Sequence, residues 1–230
     1  AYVLMSEIDF DSISEIQKQH FLNLKAKCLE KYKDFDNAYN CFSKSNSLAK
    51  KSNDYTRSDS ENYFQTLKDQ LRKLRSDPIQ TPKVHSAKII EFNPVFLVGF
   101  PRSGTTLLDT ILRSHSKIDV VEEQPAVSII QAFLAKNGYN NLVKNIVPKK
   151  LLTEAKKVYE LEFKKHIDGV KSASIYIDKL PLNLLQVPLI QQIYPQAKFI
   201  LALRHPLDTI LSCWMQNFKL NPAMANMVDL

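Results

Sequence analysis

The spacing of apolar and polar residues divides the chain into a polar helical part and a part in which strands and helices alternate. Up to residue 75 the apolar positions recur at helical spacing, and no strand-like run follows the first few residues. From residue 94 onwards short apolar runs alternate with helical patterns, which predicts an α/β fold with a parallel sheet and helices on both faces. The predicted helices cover residues 14–32, 36–51, 58–75, 104–115, 125–136, 150–167, 183–193 and 206–217, and the predicted strands cover 95–99, 118–121, 174–178 and 198–203.

A proline-rich segment separates the two parts. Pro78 and Pro82 interrupt both kinds of pattern, so residues 76–93 are predicted to be a linker. The chain is therefore expected to hold a small helical segment at 1–75 and an α/β domain at 94–230, which a length of 230 residues can accommodate.

The first two predicted helices carry small and aromatic residues at positions that face each other. They are Ala26, Phe35, Ala38, Phe42 and Ser45. Small side chains let two antiparallel helices approach closely, and the aromatic side chains fill the remaining space. This spacing resembles a single tetratricopeptide repeat, although Lys33 stands where the repeat has a turn glycine. One repeat cannot bury its own faces, so the pair is expected to cap an array or pack on the next domain, with an ordinary helical hairpin as the alternative.

Composition and charge argue against several classes of protein. No apolar run reaches the roughly 20 residues of a membrane span, and the N-terminus lacks the pattern of a signal peptide. The three cysteines show no disulfide or zinc-site spacing, which predicts a reducing, cytoplasmic compartment. A net charge of +7 suits an anionic partner, but the basic residues are spread along Lys/Glu-rich helices, so nucleic acid is not expected.

The strongest chemical signal is the stretch VGFPRSGTT, which follows the first predicted strand and opens a helix. Gly99 and Gly104 have the spacing of a nucleotide-triphosphate loop, and glycine at both ends lets backbone N–H groups approach an anion. The helix start adds free amides and a favourable dipole. Thr105 stands where triphosphatases have the loop lysine, so the loop suits one terminal phosphate better than a triphosphate tail. Side-chain donors are Arg102, Ser103, Thr105 and Thr106.

The loop resembles the 5′-phosphosulfate loop of sulfotransferases, which transfer a sulfonate group from 3′-phosphoadenosine 5′-phosphosulfate (PAPS). Arg102, where many members have lysine, is similar to the arginine of tyrosylprotein sulfotransferases and of bacterial sulfotransferases that carry tetratricopeptide repeats. The resemblance extends from about residue 94 to residue 230, and the helical pair upstream agrees with the bacterial kind. It implies a P-loop-type sheet, PAPS as the cofactor, and contacts to PAPS from Arg102, Ser103, Gly104, Thr105 and Thr106.

The resemblance also assigns roles to three later segments. In VVEEQPAV it places the catalytic base on Glu123, with Glu122 as the alternative. In IYIDKLPLN it places on Lys179 the cation that meets the transferring sulfonate, while Asn183 is interpreted as a helix N-cap. In FILALRHPLDTILSCWMQNF it places the 3′-phosphate site on Arg204 and Ser212.

The expected reaction is an in-line displacement at sulfur, with Glu123, Lys179 and Arg102 as catalytic residues. No metal is predicted, because cationic side chains take its electrostatic role. The acceptor is a hydroxyl of a protein tyrosine, a saccharide or a small molecule, and the helical segment is expected to bind a protein partner or mediate self-association. Two alternatives stay open: a P-loop kinase or other nucleotide-binding protein, and a helical-repeat scaffold whose sulfotransferase-like domain is inactive.

The resemblance further implies where the protein works and how far it extends. It predicts a bacterial, cytoplasmic protein, with the lumen of the secretory pathway as the alternative. Family members continue into further helices, so the chain is expected to be a fragment that is truncated at its C-terminus.

Overall fold

The computed structural model describes residues 8–52, 57–76, 92–139, 147–167 and 173–228. Within these ranges the chain forms α-helices and four β-strands. The helices are α1 (Glu15–Lys31), α2 (Phe35–Ala49), α3 (Arg57–Ser76), α4 (Thr105–Arg113), α5 (Ala126–Lys136), α6 (Lys149–Lys164), α7 (Val187–Ile193) and α8 (Pro206–Trp214). The strands are β1 (Val95–Gly99), β2 (Ile118–Glu122), β3 (Ile175–Lys179) and β4 (Lys198–Ala202).

The chain divides into two compact units. The sheet unit comprises residues 72–205, and the helical unit comprises residues 1–71 together with residues 206–230. Helix α8, which follows the last strand in the sequence, is thus grouped with the N-terminal helices. The predicted linker at 76–93 lies almost wholly outside the described residues, so the proposed domain boundaries stay a prediction.

The four strands form one parallel sheet in the order β2-β3-β1-β4. One face carries Phe96, Val98 and Val121 against α5, α6 and α7. The opposite face carries Leu97, Val120 and Ile177, with α4 packed on it. Apolar side chains therefore project from both faces of the central strands and are buried under helices on each side, which explains the continuous apolar runs in the sequence. The predicted α/β fold with a helix-covered parallel sheet is confirmed.

The predicted helix at 183–193 is two elements in the structure. A 3₁₀ helix occupies Pro181–Gln186, and α7 begins only at Val187. Pro181 and Pro188 each lie in the first turn of their element, where the missing N–H is tolerated. The two prolines therefore divide the apolar pattern into consecutive short helices.

In the helical unit, α1 and α2 form an antiparallel pair joined by a tight turn. Ala26, Ala38 and Phe42 are buried between them as predicted, but Phe35 is 63% exposed. Phe35 is the first residue of α2 and lies beyond the interface, so the expectation that it fills the space between the helices is wrong. Lys33 in the turn has a φ of 63°, the left-handed conformation for which repeats use glycine.

Helix α8 completes the core of the helical unit. Trp214 is 5% exposed, stacks on Tyr39 with ring centroids 5.2 Å apart, and contacts Phe42 at 5.8 Å. The Nδ2 atom of Asn46 donates to the carbonyl oxygen of Trp214 at 3.0 Å. None of the helices in the described part of the chain combines the length and apolar character of a membrane-crossing segment.

Candidate active site

Strand β1 delivers a tight loop to the carboxyl edge of the sheet. Gly99 ends β1, and the residues after it lead into α4. A Cβ atom on Gly99 would lie 2.7 Å from Ser103 Oγ and 2.8 Å from the carbonyl oxygen of Ala202 on β4. These distances leave no room for a side chain, so glycine is required for the loop to fold back against β4.

Two residues of this loop have left-handed backbone conformations. Arg102 has a φ of 67°, and Gly104, which immediately precedes α4, has a φ of 98°. Positive φ is uncommon for arginine, and such strain is concentrated at ligand-binding sites. The Arg102 side chain is exposed, and the first N–H groups of α4 have no acceptor within the helix. The loop therefore gathers a guanidinium and several backbone donors in one place.

Ser103 indicates that the loop fits an oxygen-rich ligand. The residue is only 8% exposed, and its Oγ has no hydrogen-bond partner in the described part of the chain. A buried polar group without a partner costs about 1–3 kcal/mol, and such groups are rare in native structures. A phosphate oxygen in the loop would supply the missing partner, so these residues fit a phosphate group.

The register of the sheet brings Lys179 and Glu122 side by side. Lys179 ends β3 and pairs with Glu122, which ends β2. Paired residues of neighbouring strands project to the same face of the sheet, and the Nζ atom of Lys179 donates to Oε1 of Glu122 at 2.7 Å. The pair lies at the carboxyl edge, where parallel sheets bind their ligands.

Glu123 reaches the same ammonium because the backbone turns at this residue. Consecutive strand residues point to opposite faces, so a continued β2 would direct Glu123 away from Lys179. Glu123 instead has a φ of 51°, and its N–H donates to the carbonyl oxygen of Lys179 at 2.7 Å. Its Oε1 then accepts a bond of 2.8 Å from Lys179 Nζ. Two neighbouring carboxylates thus share one ammonium.

Lys179 is enclosed but stays charged. Its side chain is 0% exposed, whereas those of Glu122 and Glu123 are 45% and 56% exposed. Burial lowers the pKa of Lys179, but its hydrogen bonds to the two glutamates raise it, and the net shift of the pKa is upward. Because the ammonium has no exposed surface, a ligand contacts it only after a neighbouring side chain moves.

Helix α4 carries an ion pair that contacts Glu122. Asp109 and Arg113 are one helical turn apart, and the guanidinium donates from Nε and Nη2 to the two carboxylate oxygens at 3.0 Å each. Asp109 is buried, with a side chain 3% exposed. The Nη2 atom of Arg113 also lies 3.6 Å from Oε2 of Glu122. Charged groups therefore run from Asp109 through Arg113 and Glu122 to Lys179.

Comparison with known protein families agrees with this geometry. A sequence model described as "Sulfotransferase family" matches residues 94–229, which include the loop, both glutamates and Lys179. The chain belongs to the sulfotransferase family. It is also 32% identical over 220 residues to an uncharacterized protein of Aquifex aeolicus strain VF5, in an alignment that covers 84% of this chain. The same alignment covers 25% of the Aquifex protein, so this chain spans about a quarter of that relative's length.

The other residues predicted to bind the sulfonate donor lie in different parts of the structure. Thr105 is buried and Thr106 is exposed in the first turn of α4. Arg204 follows β4, and its Nη1 donates to the carbonyl oxygen of Arg102 at 3.3 Å, which connects it to the loop. Ser212 lies on α8 in the helical unit, whereas Arg204 belongs to the sheet unit. That Arg204 and Ser212 bind one phosphate therefore stays a prediction.

The polar groups around the loop between β1 and α4 are suited to binding anions. Arg102, Arg204, Ser103 and the backbone amides are donors, and Lys179 adds a third cation at the neighbouring strand end. Across the described ranges, no group of three or more His, Cys, Asp or Glu side chains is arranged to hold a metal ion.

A buried polar network lies behind β3, on the face opposite Lys179. Asp178 is 1% exposed and accepts hydrogen bonds from Tyr159 Oη at 2.8 Å and from Asn183 Nδ2 at 3.3 Å. Burial raises the pKa of Asp178 to about 7, although the bond from Tyr159 opposes the shift. Asn183 lies inside the 3₁₀ helix, which Leu180 precedes as its N-cap. The expectation that Asn183 is an N-cap is therefore wrong, and its side chain binds Asp178 instead.

The sequence analysis did not single out the charged and polar groups that contact the carboxyl ends of β2 and β3. Asp109 and Arg113 could have been paired from their separation of four residues, which places them on one side of a helix. Asp178 could have been singled out as an acidic residue at the end of an apolar strand. The partner of Asp178 on α6, Tyr159, carries no such signal, because only the tertiary fold brings it to β3.

Proposed function

We propose that this sulfotransferase moves a sulfonate group from PAPS to a hydroxyl acceptor. The observation that carries the proposal is the hydrogen bond of 2.8 Å from Lys179 Nζ to Glu123. Lys179 ends β3, which pairs with β1, the strand that leads into the loop at residues 99–104 (the phosphate loop). Sulfonate transfer requires a base for the acceptor hydroxyl and cations for the leaving phosphate. Glu123 has the first role, and Lys179 and Arg102 have the second.

The phosphate loop accounts for the choice of donor. PAPS supplies the sulfonate on a phosphate leaving group. Arg102, the Ser103 hydroxyl and the backbone amides of residues 103–106 bind its 5′-phosphate, so the hydroxyl that lacks a partner in the described chain gains one. Arg204 and Ser212 bind the 3′-phosphate that distinguishes PAPS from other adenylates. Within the sheet unit, the hydrogen bond from Arg204 Nη1 to the Arg102 carbonyl oxygen supports the part of this proposal that concerns Arg204.

Glu123 and Lys179 act on the two ends of the bond change. The Glu123 carboxylate takes the proton of the acceptor hydroxyl as its oxygen attacks sulfur. Once Glu123 is neutral, it holds the Lys179 ammonium less strongly, and one N–H becomes available to the oxygen of the leaving phosphate. Glu122 stays bound at 2.7 Å and keeps the buried cation paired. Proton uptake and stabilisation of the leaving group are thereby coupled through one side chain.

The acceptor that we propose to test first is a protein tyrosine. Arg102 in the phosphate loop resembles the arginine of tyrosylprotein sulfotransferases. The α1–α2 pair, if it belongs to a helical repeat, adds a surface of the kind that binds peptides. Saccharides and small alcohols present the same hydroxyl and are assayed in parallel.

Loss of Lys179 tests the catalytic assignment. The Lys179→Ala variant should lower sulfonate transfer by about 10²-fold or more, because one preorganised charge is lost from the transition state. Transfer is measured with sulfur-labelled PAPS and tyrosine peptides, followed by identification of the labelled products. Lys198→Ala is the matched control, because Lys198 is an exposed lysine at the first residue of β4, at the other end of the strands from Lys179. A Lys179→Ala turnover within a factor of two of the parent chain would rule out the role of Lys179.

Ligand-dependent stability tests the choice of donor separately. Adenosine 3′,5′-bisphosphate should raise the Tm without magnesium, whereas Mg·ATP should have a smaller effect. The reverse order would favour a kinase-like site. If neither nucleotide raises the Tm and no label is transferred, the inactive scaffold becomes the better hypothesis.

A further inference from the structure

Glu122 and Glu123 share the ammonium of Lys179 but differ in their other partners. Oε2 of Glu122 lies 3.6 Å from Nη2 of Arg113. Among the described residues, no cation other than Lys179 lies within ion-pair distance of Glu123. Arg113 is itself held in place by both oxygens of the buried Asp109. The chain thus provides a fixed second cation for one glutamate of the pair.

The additional contact of Glu122 with Arg113 determines which of the two carboxylates can be protonated with the smaller loss of favourable interactions. A proton on Glu122 would weaken the contacts with Lys179 and Arg113 together. A proton on Glu123 weakens one contact and leaves the buried Lys179 paired with Glu122 at 2.7 Å. Lys179 keeps one charged glutamate in either case, so the two arrangements differ in the contact of Glu122 with Arg113. A proton on Glu123 preserves that contact, which makes the second arrangement the more stable one.

We propose that Arg113, held by Asp109, is a positioning residue that keeps Glu122 an anion bound to Lys179 and so leaves the role of base to Glu123. The inference rests on the proposed function, since a base is defined only for a reaction that removes a proton. It also accounts for Asp109, a buried carboxylate that contacts neither Lys179 nor the loop through any described hydrogen bond. The pKa of Glu122 agrees with it: the Lys179 hydrogen bond lowers the pKa most, burial opposes it, and the charges of Lys179 and Arg113 lower it further.

The hold of Arg113 on Glu122 can be measured without any acceptor. The charged groups around Glu122 are Lys179 from β3, Arg113 and its partner Asp109 from α4, and Glu123 from its own turn. In chain labelled with ¹³C at the glutamate carboxyls, the Glu122 resonance is followed as the pH is lowered. Arg113→Gln should move the Glu122 midpoint up by about half a pH unit or more, as expected for the loss of a nearby charge screened by water.

Three further variants make this result interpretable. Arg113→Lys keeps the charge and should restore at least half of the shift. Asp109→Asn combined with Arg113→Gln should show the full shift without leaving a buried carboxylate unpaired, which covers the case in which Arg113→Gln alone fails to fold. Lys136→Gln, on α5, removes a cation elsewhere in the sheet unit and should leave the midpoint unchanged. A Glu122 midpoint that is the same in the parent chain and the double variant would overturn the proposal.

The pH dependence of sulfonate transfer tests the consequence for the base. Glu123→Gln should abolish the acidic limb of kcat/KM, whereas Glu122→Gln should lower the rate but keep the limb. In Arg113→Gln the acidic limb of kcat/KM should move to higher pH, because Glu122 then protonates more readily and no longer holds Lys179. A mere loss of packing would instead lower kcat/KM equally at every pH. A limb that persists in Glu123→Gln and disappears in Glu122→Gln would reverse the assignment. If the parent chain transfers no sulfonate, the proposed function and the base assignment fail together, while the Glu122 titration still decides the role of Arg113.

Discussion

At the level of single residues, the Ser103 hydroxyl is a buried polar group of the described chain that lacks a hydrogen-bond partner. Its Oγ is buried without a described partner, and it would lie 2.7 Å from a Cβ atom on Gly99. The space that glycine leaves is therefore occupied by a polar atom with an unmade hydrogen bond. Such an atom lowers the stability of the free protein and strengthens binding of an oxygen ligand.

Replacement of Ser103 should separate stability from affinity. In Ser103→Ala the Tm of the ligand-free chain should stay the same or rise, because an unsatisfied buried hydroxyl is removed. The affinity for adenosine 3′,5′-bisphosphate should fall by about 10- to 150-fold, the equivalent of one hydrogen bond to a charged group. Both quantities come from thermal shift and calorimetric titration. Ser114→Ala, which removes an exposed hydroxyl bonded to the Ile111 carbonyl oxygen, is the control and should leave the affinity unchanged.

At the level of elements, β3 is held from both faces by polar side chains. Lys179 joins β3 to β2, while Asp178 joins it to α6 through Tyr159 and to the 3₁₀ helix through Asn183. Successive side chains of a strand point to opposite faces of the sheet, so Asp178 and Lys179 contact groups on different sides of it. The position of the Lys179 ammonium is thus supported by a network on the other face of the sheet that makes no described hydrogen bond to it.

The buried Asp178 should make stability depend on pH. Because burial raises its pKa to about 7, the folded chain keeps a proton on Asp178 between about pH 4 and 7, where the unfolded chain has lost it. Folding then takes up a proton, so the free energy of unfolding should fall as the pH rises through this range and become level above it. Asp178→Asn removes the titrating group. Between pH 5 and 8 the free energy of unfolding of this variant should therefore decrease by about 1–3 kcal/mol less than that of the parent chain.

Urea unfolding at pH 5 and pH 8 measures this difference. Asp119→Asn, which changes a buried aspartate on the neighbouring strand β2, serves as the control and should keep the decrease of the parent chain. Equal pH dependence of the parent chain and Asp178→Asn would show that Asp178 does not hold its proton in the folded state.

The helices and strands were predictable because burial imposes periodic patterns on the sequence. The predicted strand at 95–99 matches β1, and the predicted helix at 125–136 differs from α5 by one residue. The pattern fails where it depends on local backbone chemistry: two prolines divide the predicted helix at 183–193, and Phe35 at the start of α2 points to solvent. Apolar spacing reports a buried face and does not report how a helix begins.

The candidate site was predictable in its residue types and less so in its contacts. Lys179 and the two glutamates could be placed at strand ends, so their meeting at one sheet edge followed from a parallel sheet. The left-handed turn that directs Glu123 back to Lys179 has no sequence signal, because it depends on a hydrogen bond from the Glu123 N–H to another strand. The contact of Arg113 with Glu122 is likewise tertiary.

At the level of the whole molecule, the helical unit depends on residues from both ends of the chain. Besides the contacts of Trp214, the Gln19 side chain on α1 donates to the Asn217 side chain at 2.7 Å, and Asn23 donates to the Met215 carbonyl oxygen at 3.1 Å. The family match at 94–229 therefore includes residues that stabilise a unit formed mainly upstream of it.

Truncation of Trp214 should loosen the N-terminal helices. Trp214→Ala should destabilise the helical unit by about 3–5 kcal/mol, as for other large aromatic residues removed from a core. Hydrogen exchange should then accelerate in α1 and α2 but stay unchanged in β1 and β3. Trp214→Phe keeps a ring against Tyr39 and should have less than half of the effect. Equal acceleration in both units would contradict the assignment of α8 to the helical unit.

The position of Trp214 also determines what optical spectroscopy can detect. It is the only tryptophan in the sequence, and it lies in the helical unit, stacked on Tyr39. Emission excited selectively from the indole therefore reports the melting of that unit alone. The sheet and the loop that follows β1 contribute tyrosine and phenylalanine signals only. A tryptophan introduced beside the loop would be needed before fluorescence could follow nucleotide binding directly.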